Sequence, residues 1–232
     1  MARITQARLA ELAEDQWGLL TRRQAEQAGV SQATLQRLAA GGVLVRVAHG
    51  VYHLAGAPEP DHITLRAAWL QLAPEVPAWK REPGEGVVSH RSAASMFGLG
   101  HLPADRHDFI LPERRQTRRP DVRFHLAVLE PREWVSRLGV PVTRPSRIAI
   151  DLVEDREDPE SIATVVADAI RGGHEPPALF ADALRSVAHR LGLRRGEGLG
   201  SLRWLLDLIA AKEGPEWVEQ AHHALLRAAS RG

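Results

Sequence analysis

Cysteine is absent from this sequence of 232 residues, which excludes disulfide bonds and thiolate chemistry. Long apolar runs are absent as well, since no stretch approaches the roughly 18 consecutive apolar residues of a membrane-spanning helix. The N-terminal stretch "MARITQARLAELAEDQ" carries charges throughout and lacks the apolar centre of a secretory signal. We therefore expect a cytoplasmic globular protein without a membrane partner.

Charge of one sign is not in excess over the whole chain, because the formal net charge is only +1. The charges are nevertheless unevenly distributed. Residues 1–57 carry six basic and four acidic side chains, residues 58–147 carry fourteen and eleven, and residues 148–232 carry ten and fourteen. The net positive charge of the N-terminal segment is typical of a surface that binds phosphates. The net negative charge of the C-terminal segment is typical of a surface that binds a basic partner or faces solvent.

Two short helices joined by a turn are predicted within residues 18–42. The stretch "TRRQAEQAG" begins with a capping threonine and ends at Gly29, and Ser31 begins the second helix in "SQATLQRLAAGG". Leu35 and Leu38 of that helix are three residues apart and can pack inward together. The opposite face then carries Gln32, Ala33, Gln36 and Arg37. This order of helix, glycine-containing turn and helix is a helix-turn-helix arrangement.

The next segment, "VLVRVAHGVYHL", predicts a two-stranded hairpin. Its β-branched residues flank a tight turn at His49 and Gly50, as in the wing of a winged helix. In such a fold the second helix enters the major groove, where glutamine pairs with adenine and arginine with guanine. The predicted DNA-binding residues are Thr21, Arg22, Ser31, Gln32, Thr34, Gln36, Arg37, Arg46 and His49.

Within this set, Thr21, Arg22 and Arg46 are placed for phosphates, and Ser31 adds a hydroxyl and an amide at a helix N-terminus. Gln32, Gln36 and Arg37 are placed for base edges. An alternative stays open, because helix-turn-helix units also serve as protein-interaction modules and an exposed polar helix face is ordinary surface.

Pro58 and Pro60 mark a domain boundary after the hairpin. We expect a winged helix-turn-helix domain at 1–57 and an α+β domain at 61–232. The second domain has a predicted short strand at Val87 and Val88, followed by short strands at "HDFIL", "VRFHLAVL" and "GVPVT", and these form a small sheet. From about residue 145 the patterns are mostly helical. The fold class is therefore α+β, with a winged helix followed by a mixed domain that has a helical C-terminal part.

The sequence contains several partial motifs for catalysis, metal binding or cofactor binding, but each lacks a required feature. The glycines of "RRGEGLGS" lack the spacing of a nucleotide fingerprint, and the prolines of "GGHEPP" break the helix that a zinc HExxH motif needs. Ser89, His90 and Asp151 are the residue types of a hydrolase triad, but no nucleophile-elbow sequence surrounds the serine, and we do not expect them to act as one. The histidines are scattered along the chain. We expect no catalytic residue, no cofactor and no metal site.

Five stretches together resemble the AbiEi family of antitoxins and transcriptional regulators: "GLLTRRQAEQAGVS", "LQRLAAGGVLVRVAHGVYHL", "VVSHRSAASMFGLG", "GVPVTRPSRIAIDL" and "VVADAIRGG". The resemblance spans roughly residues 18–173. It implies a winged helix that binds inverted repeats in its own promoter as a repressor, the protein being a monomer in solution or a dimer on DNA. It also implies a second domain that antagonises a nucleotidyltransferase-type toxin of a type IV system, in which direct contact with the toxin is not required.

The resemblance also marks motif positions in the second domain, namely Ser89, His90, Arg91, Thr143, Arg144, Arg147 and Asp151. Structural roles are an alternative, since Ser89 can cap a helix and Arg147 and Asp151, four residues apart, can form an ion pair. Arg91 and the arginines of "PERRQTRRP" can contact phosphates or solvent. One alternative function stays open: a catalytic antitoxin or nucleic-acid-modifying protein whose second domain carries an activity positioned by the winged helix.

Overall fold

The computed structural model describes the backbone of residues 2–230 and the side chains of residues 6–230. The chain divides into two compact units. The first unit comprises Met1–Val87, Leu111–Arg115 and Ser136–Pro141, and the second comprises Val88–Ile110, Gln116–Val135 and Val142–Gly232.

The first unit contains a winged helix. Its elements are α1 (Ala2–Glu14), β1 (Leu19–Thr21), α2 (Arg22–Gln27), α3 (Gln32–Ala40), β2 (Leu44–Ala48), β3 (Val51–Leu54) and α4 (Ile63–Leu70). The three strands form an antiparallel sheet in the order β1-β3-β2. The predicted hairpin is the β2-β3 pair, with its turn at His49 and Gly50. Strand β1 has no counterpart among the predicted elements.

One hydrophobic core holds the winged helix together. It combines side chains from α1, β1, α3, β2 and β3, for example Leu9, Leu20, Leu35, Leu44 and Tyr52. Leu35 is fully buried and Leu38 is partly buried against the same cluster, as the spacing on α3 predicts. Burying this one face of α3 leaves the opposite face in solvent.

A second sheet has five strands, β4 (Val87–Val88), β5 (His107–Leu111), β6 (Val122–Leu126), β7 (Trp134–Arg137) and β8 (Val140–Thr143). The strand order is β6-β5-β4-β8-β7, and β4 runs parallel to β8, with Val88 opposite Val142. Helix α5 (His90–Phe97) follows β4 directly. Strands β4, β5, β6 and β8 lie where the sequence predicts strands, and β7 is additional.

The rest of the second unit is helical, with α6 (Pro145–Glu154), α7 (Pro159–Arg171), α8 (Pro177–Leu184), α9 (Gly198–Leu208) and α10 (Gly214–Ala229). Helix α7 begins at a side-chain cap, because the Asp158 carboxylate accepts a hydrogen bond from Ser161 N at 2.9 Å. Helices α8 and α9 approach closely at Gly198, where a Cβ atom would overlap the carbonyl oxygen of Ala181.

The predicted fold class is confirmed: a winged helix is followed by a small mixed sheet and a helical C-terminal part. Within residues 2–230 no helix is both long enough and apolar enough to cross a membrane. The first unit extends past the predicted boundary near residues 58–60 to include α4, and the division at 57 and 61 stays a prediction. Residue 1 and residues 231–232 of the two predicted domains lie outside the described residues.

Candidate nucleic-acid interface

The turn between α2 and α3 is built by two side-chain caps. Thr21 and Gln24 form a capping box at the start of α2, and the Ser31 hydroxyl accepts a hydrogen bond from Thr34 N at the start of α3. Gly29 has a positive φ of 80°, which permits the sharp turn. These local interactions fix the direction in which α3 leaves the core.

Thr21 is a correction to the predicted phosphate contacts. Its side chain is fully buried, and its hydroxyl both accepts a hydrogen bond from Gln24 N and donates one to the carbonyl oxygen of Pro74. Both bonding functions of the hydroxyl are therefore used inside the protein. Thr21 supports the fold and does not face a phosphate.

The solvent-facing side of α3 is polar, as predicted. Gln32, Gln36 and Arg37 are exposed. Gln32 accepts a hydrogen bond from Arg22 Nη1 at 2.9 Å, and Arg37 Nη2 approaches the Thr34 hydroxyl at 3.4 Å. The hydroxyls of Ser31 and Thr34 are 3.1 Å apart. The structure thus brings six of the predicted DNA-binding residues to one end and one face of a helix: Arg22, Ser31, Gln32, Thr34, Gln36 and Arg37.

The wing supplies the remaining two predicted residues. Arg46 on β2 and His49 in the turn are both exposed, and Arg46 Nη2 lies 3.1 Å from His49 Nδ1. A cavity of about 230 Å³ next to this turn is lined by Arg22, Arg23, His49, Gly50, Gln71 and Pro74. Arg23 is a basic residue that the sequence analysis missed, because its place beside the wing depends on the sheet pairing and not on the helix pattern.

The motif residues of the second unit converge on a buried polar cluster. Ser89 is fully buried, and its Oγ is hydrogen-bonded to His90 Nδ1 at 2.9 Å. Asp151 Oδ2 lies 4.0 Å from the same ring nitrogen. Ser89 occupies the N-cap position of α5, but its side chain makes no capping hydrogen bond. The predicted position is therefore correct, and the predicted capping interaction is wrong. The hydroxyl bonds to the imidazole instead.

A hydrolase relay is not formed by these three residues. In such a relay the serine and the carboxylate lie on opposite nitrogens of the imidazole ring. Here Ser89 and Asp151 both face Nδ1 of His90. The arrangement therefore gives no support to acyl-transfer chemistry.

The predicted ion pair on α6 is confirmed. Arg147 Nε donates to Asp151 Oδ1 at 2.7 Å, and Arg147 Nη1 donates to Glu133 Oε1 at 2.7 Å. Burial raises the pKa of Asp151 to about 7 against the opposing effect of Arg147. Asp151 Oδ2 is buried and has no hydrogen-bond partner among the described residues.

Three residues of this cluster were missed by the sequence analysis. The His125 ring stacks on His90 with a centroid distance of 3.5 Å, and His125 Nε2 lies 2.9 Å from Asp108 Oδ1. Ligand atoms of His90, His125 and Asp155 lie within 4.8 Å of one another. Burial, together with His125 and the nearby arginines, lowers the pKa of His90 to about 2, so this imidazole is neutral at neutral pH. The histidines are far apart in sequence, and only the fold brings them together.

The other motif residues have separate places. Arg91 forms an ion pair with Glu157 at 2.6 Å. Thr143 is fully buried at the end of β8, with its hydroxyl unpaired among the described residues. Arg144 lines a cavity of about 480 Å³ together with Arg147 and several acidic side chains. The structure thus unites Ser89, His90, Arg147 and Asp151, and places Arg91, Thr143 and Arg144 around them with different contacts.

Comparison with protein families gives a match to one family model, described as transcriptional regulator, AbiEi antitoxin, over residues 7–55. This confirms the resemblance to AbiEi proteins for the segment from α1 through β3, which is the winged helix. No curated protein matches the sequence. The match ends before the motif residues of the second unit, and their roles stay predictions.

Proposed function

We propose that this protein is a DNA-binding transcriptional repressor of its own operon and the antitoxin of a toxin–antitoxin pair. The observation that carries the proposal is the match of residues 7–55 to an AbiEi regulator model, on a segment folded as a winged helix. In a winged helix the helix after the turn lies in the major groove. Here that helix is α3, whose outer face presents Gln32, Gln36 and Arg37.

Base readout and phosphate binding fall to different groups in this proposal. Gln36 and Arg37 project from the exposed face of α3 and are long enough to reach base edges, where each good bidentate contact contributes roughly 1–3 kcal/mol. Arg22, Arg23 and Arg46 lie beside the wing turn and bind phosphates, which positions the helix without reading sequence. Gln32, in the first turn of α3, accepts a hydrogen bond from Arg22 and so lies next to this phosphate-binding group.

The experiment that tests this proposal is a fluorescence-anisotropy titration of the full-length protein. The two ligands are the duplex upstream of its own gene and a scrambled duplex, over a series of salt concentrations. We expect the native duplex to bind at least about 100-fold more tightly. The double variant Gln36→Ala, Arg37→Ala should lose most of this preference, because it removes the base contacts and leaves the phosphate contacts in place.

A matched control is available on α10. Gln220 and Arg227 are also one exposed glutamine and one exposed arginine on a helix, but they lie in the second unit. The variant Gln220→Ala, Arg227→Ala should bind both duplexes as the wild type does. Equal, weak binding of both duplexes by the wild type, with the same salt dependence, would show phosphate attraction alone and favour a protein-interaction module.

The antitoxin half of the proposal concerns a nucleotidyltransferase-type toxin encoded in the same operon, in the cytoplasm. We propose that the second unit counteracts the toxin without catalysis, since the Ser89, His90 and Asp151 geometry lacks a relay. Co-expression with the neighbouring nucleotidyltransferase gene tests this. The wild type should restore growth, and so should Ser89→Ala. Loss of protection in a folded, DNA-bound Ser89→Ala protein would instead support the catalytic alternative.

A further inference from the structure

We infer that a second loop of the first unit, residues 112–115, binds the DNA backbone beside the wing and lengthens the phosphate contact of the winged helix. The inference rests on the proposed DNA binding. The loop follows β5 and belongs to the same compact unit as the winged helix. All four residues are exposed, and Arg114 and Arg115 form no ion pair among the side chains of residues 6–230. A guanidinium group that is exposed and has no carboxylate partner is free to bind phosphate oxygens.

The segment that follows α4 places this loop next to the wing. Gln71 Nε2 donates a hydrogen bond to the carbonyl oxygen of His49 in the wing turn, at 2.6 Å. The carbonyl oxygen of the next residue, Leu72, accepts a hydrogen bond from Arg115 Nη1 at 2.7 Å. Because consecutive Cα atoms are about 3.8 Å apart, only a short stretch of backbone separates the wing turn from the loop.

The same segment is also attached to the start of α2. The carbonyl oxygen of Pro74 accepts a hydrogen bond from the Thr21 hydroxyl, directly before Arg22 and Arg23. These two arginines line the cavity beside the wing turn together with Pro74. Arg22, Arg23 and Arg115 therefore border one segment of backbone. In the proposed function the first two bind phosphates, so the loop faces the phosphates that come next along the duplex.

The charged side chains around this segment favour an anion. They are five arginines and four glutamates, namely Arg22, Arg23, Arg81, Arg114, Arg115, Glu26, Glu75, Glu85 and Glu113. One positive charge is therefore in excess. Glu113 lies in the loop itself and opposes the attraction of Arg114 and Arg115 for phosphate. Removing its charge should strengthen DNA binding, while removing the charges of the two arginines should weaken it.

The test is a fluorescence-anisotropy titration of the full-length protein with the native and the scrambled duplex, at several salt concentrations. The double variant Arg114→Gln, Arg115→Gln should bind both duplexes more weakly by the same factor. Its slope of log affinity against log salt should fall by about 2, since two phosphate contacts are lost. Glu113→Gln should bind both duplexes more tightly. Hydroxyl-radical footprinting should show that the double variant no longer protects the sugars at the outer end of the wild-type footprint.

Two consecutive arginines of the second unit provide the matched control. Arg194 and Arg195 are exposed in the loop before α9, and the variant Arg194→Gln, Arg195→Gln should keep the wild-type affinity and salt dependence. Circular dichroism of each variant establishes that it is folded. The inference is overturned if the Arg114 and Arg115 variant keeps the wild-type slope and footprint, or if the control variant loses as much affinity.

Failure of the proposed function gives a different result from failure of this inference. If the wild type binds both duplexes equally, sequence-specific repression is contradicted. The slope of the Arg114 and Arg115 variant on either duplex then still decides whether the loop binds phosphates. If the wild type prefers the native duplex and this variant keeps both the preference and the slope, only the loop assignment is wrong. A wild type that binds neither duplex overturns both.

Discussion

At the scale of single residues, Gly198 determines how closely two helices of the second unit pack. A Cβ atom at this position would overlap the carbonyl oxygen of Ala181 on α8, and backbone cannot move aside as a flexible side chain can. We expect Gly198→Ala to lower the free energy of unfolding by about 1–3 kcal/mol, as overpacking usually does. Urea unfolding monitored by circular dichroism measures the change.

Gly200, on the same helix, is the control for that substitution. Its added Cβ would lie 3.5 Å or more from the nearest atoms, which belong to Glu197. Gly200→Ala should therefore stabilise the protein by about 0.5–1 kcal/mol, because alanine loses less backbone entropy than glycine in a helix. Similar changes in both variants would contradict the close approach at Gly198.

Single residues also show where sequence reasoning reached its limit. The pattern of a capping box correctly located Thr21 at a helix start, but a cap can be exposed or buried, and only the contact with Pro74 shows that this one is buried. Ser89 occupies its predicted position and bonds to His90 instead of the helix. His125 and Asp155 carry no local signal at all. Their proximity to His90 arises from the register of β6 and the end of α6.

At the scale of secondary-structure elements, local signals sufficed for α3 and the β2-β3 hairpin, where the caps, the apolar spacing and the turn glycine lie within a few residues. Strand β1 was missed because it is short, and β7 because its residues Trp134–Arg137 do not alternate between apolar and polar side chains. Strand β1 has three residues, and it is defined by its pairing with β3, whose partner residues lie 30 to 34 positions later in the chain. Short strands of this kind have too few residues to show an alternating pattern.

The pairing of β1 with β3 has a consequence for DNA binding, because it places the start of α2 beside the wing turn. Arg22 N donates to the carbonyl oxygen of Gly50 at 2.7 Å, and Arg23 lines the cavity next to His49. We expect Arg23→Ala to weaken binding of native and scrambled duplexes alike. The slope of log affinity against log salt should fall by about 1, since one phosphate contact is lost.

Anisotropy titrations at several salt concentrations measure that slope. Arg227→Ala, which removes an exposed arginine of the second unit, should leave it unchanged. A selective loss of native-duplex binding in Arg23→Ala would place Arg23 at a base edge and would contradict the phosphate assignment.

At the scale of the whole molecule, the uneven distribution of charge and the helical C-terminal part could be predicted from composition and periodicity. The polar cluster of the second unit could not. Composition places the excess of acidic residues in 148–232, and α6 to α10 cover most of the same part of the chain. The cluster draws on five separate segments, which supply Ser89 and His90, Asp108, His125, Glu133, and the α6 residues Arg147 and Asp151. No pattern of spacing within one segment can report such a convergence.

The proposed repressor also makes a prediction about assembly. One winged helix presents one recognition helix, so an inverted repeat requires two copies, each in its own half-site. Sedimentation velocity should show two chains on a duplex with the intact repeat from the protein's own promoter. It should show one chain when a single half-site is scrambled.

Inserting about five base pairs between the half-sites rotates one half-site relative to the other by half a helical turn. This insertion should weaken binding of the second chain if the two copies contact each other on DNA. A single chain on the intact repeat would contradict the two-site prediction. If the second chain binds with the same affinity whether or not base pairs are inserted, the two copies bind DNA without contacting each other.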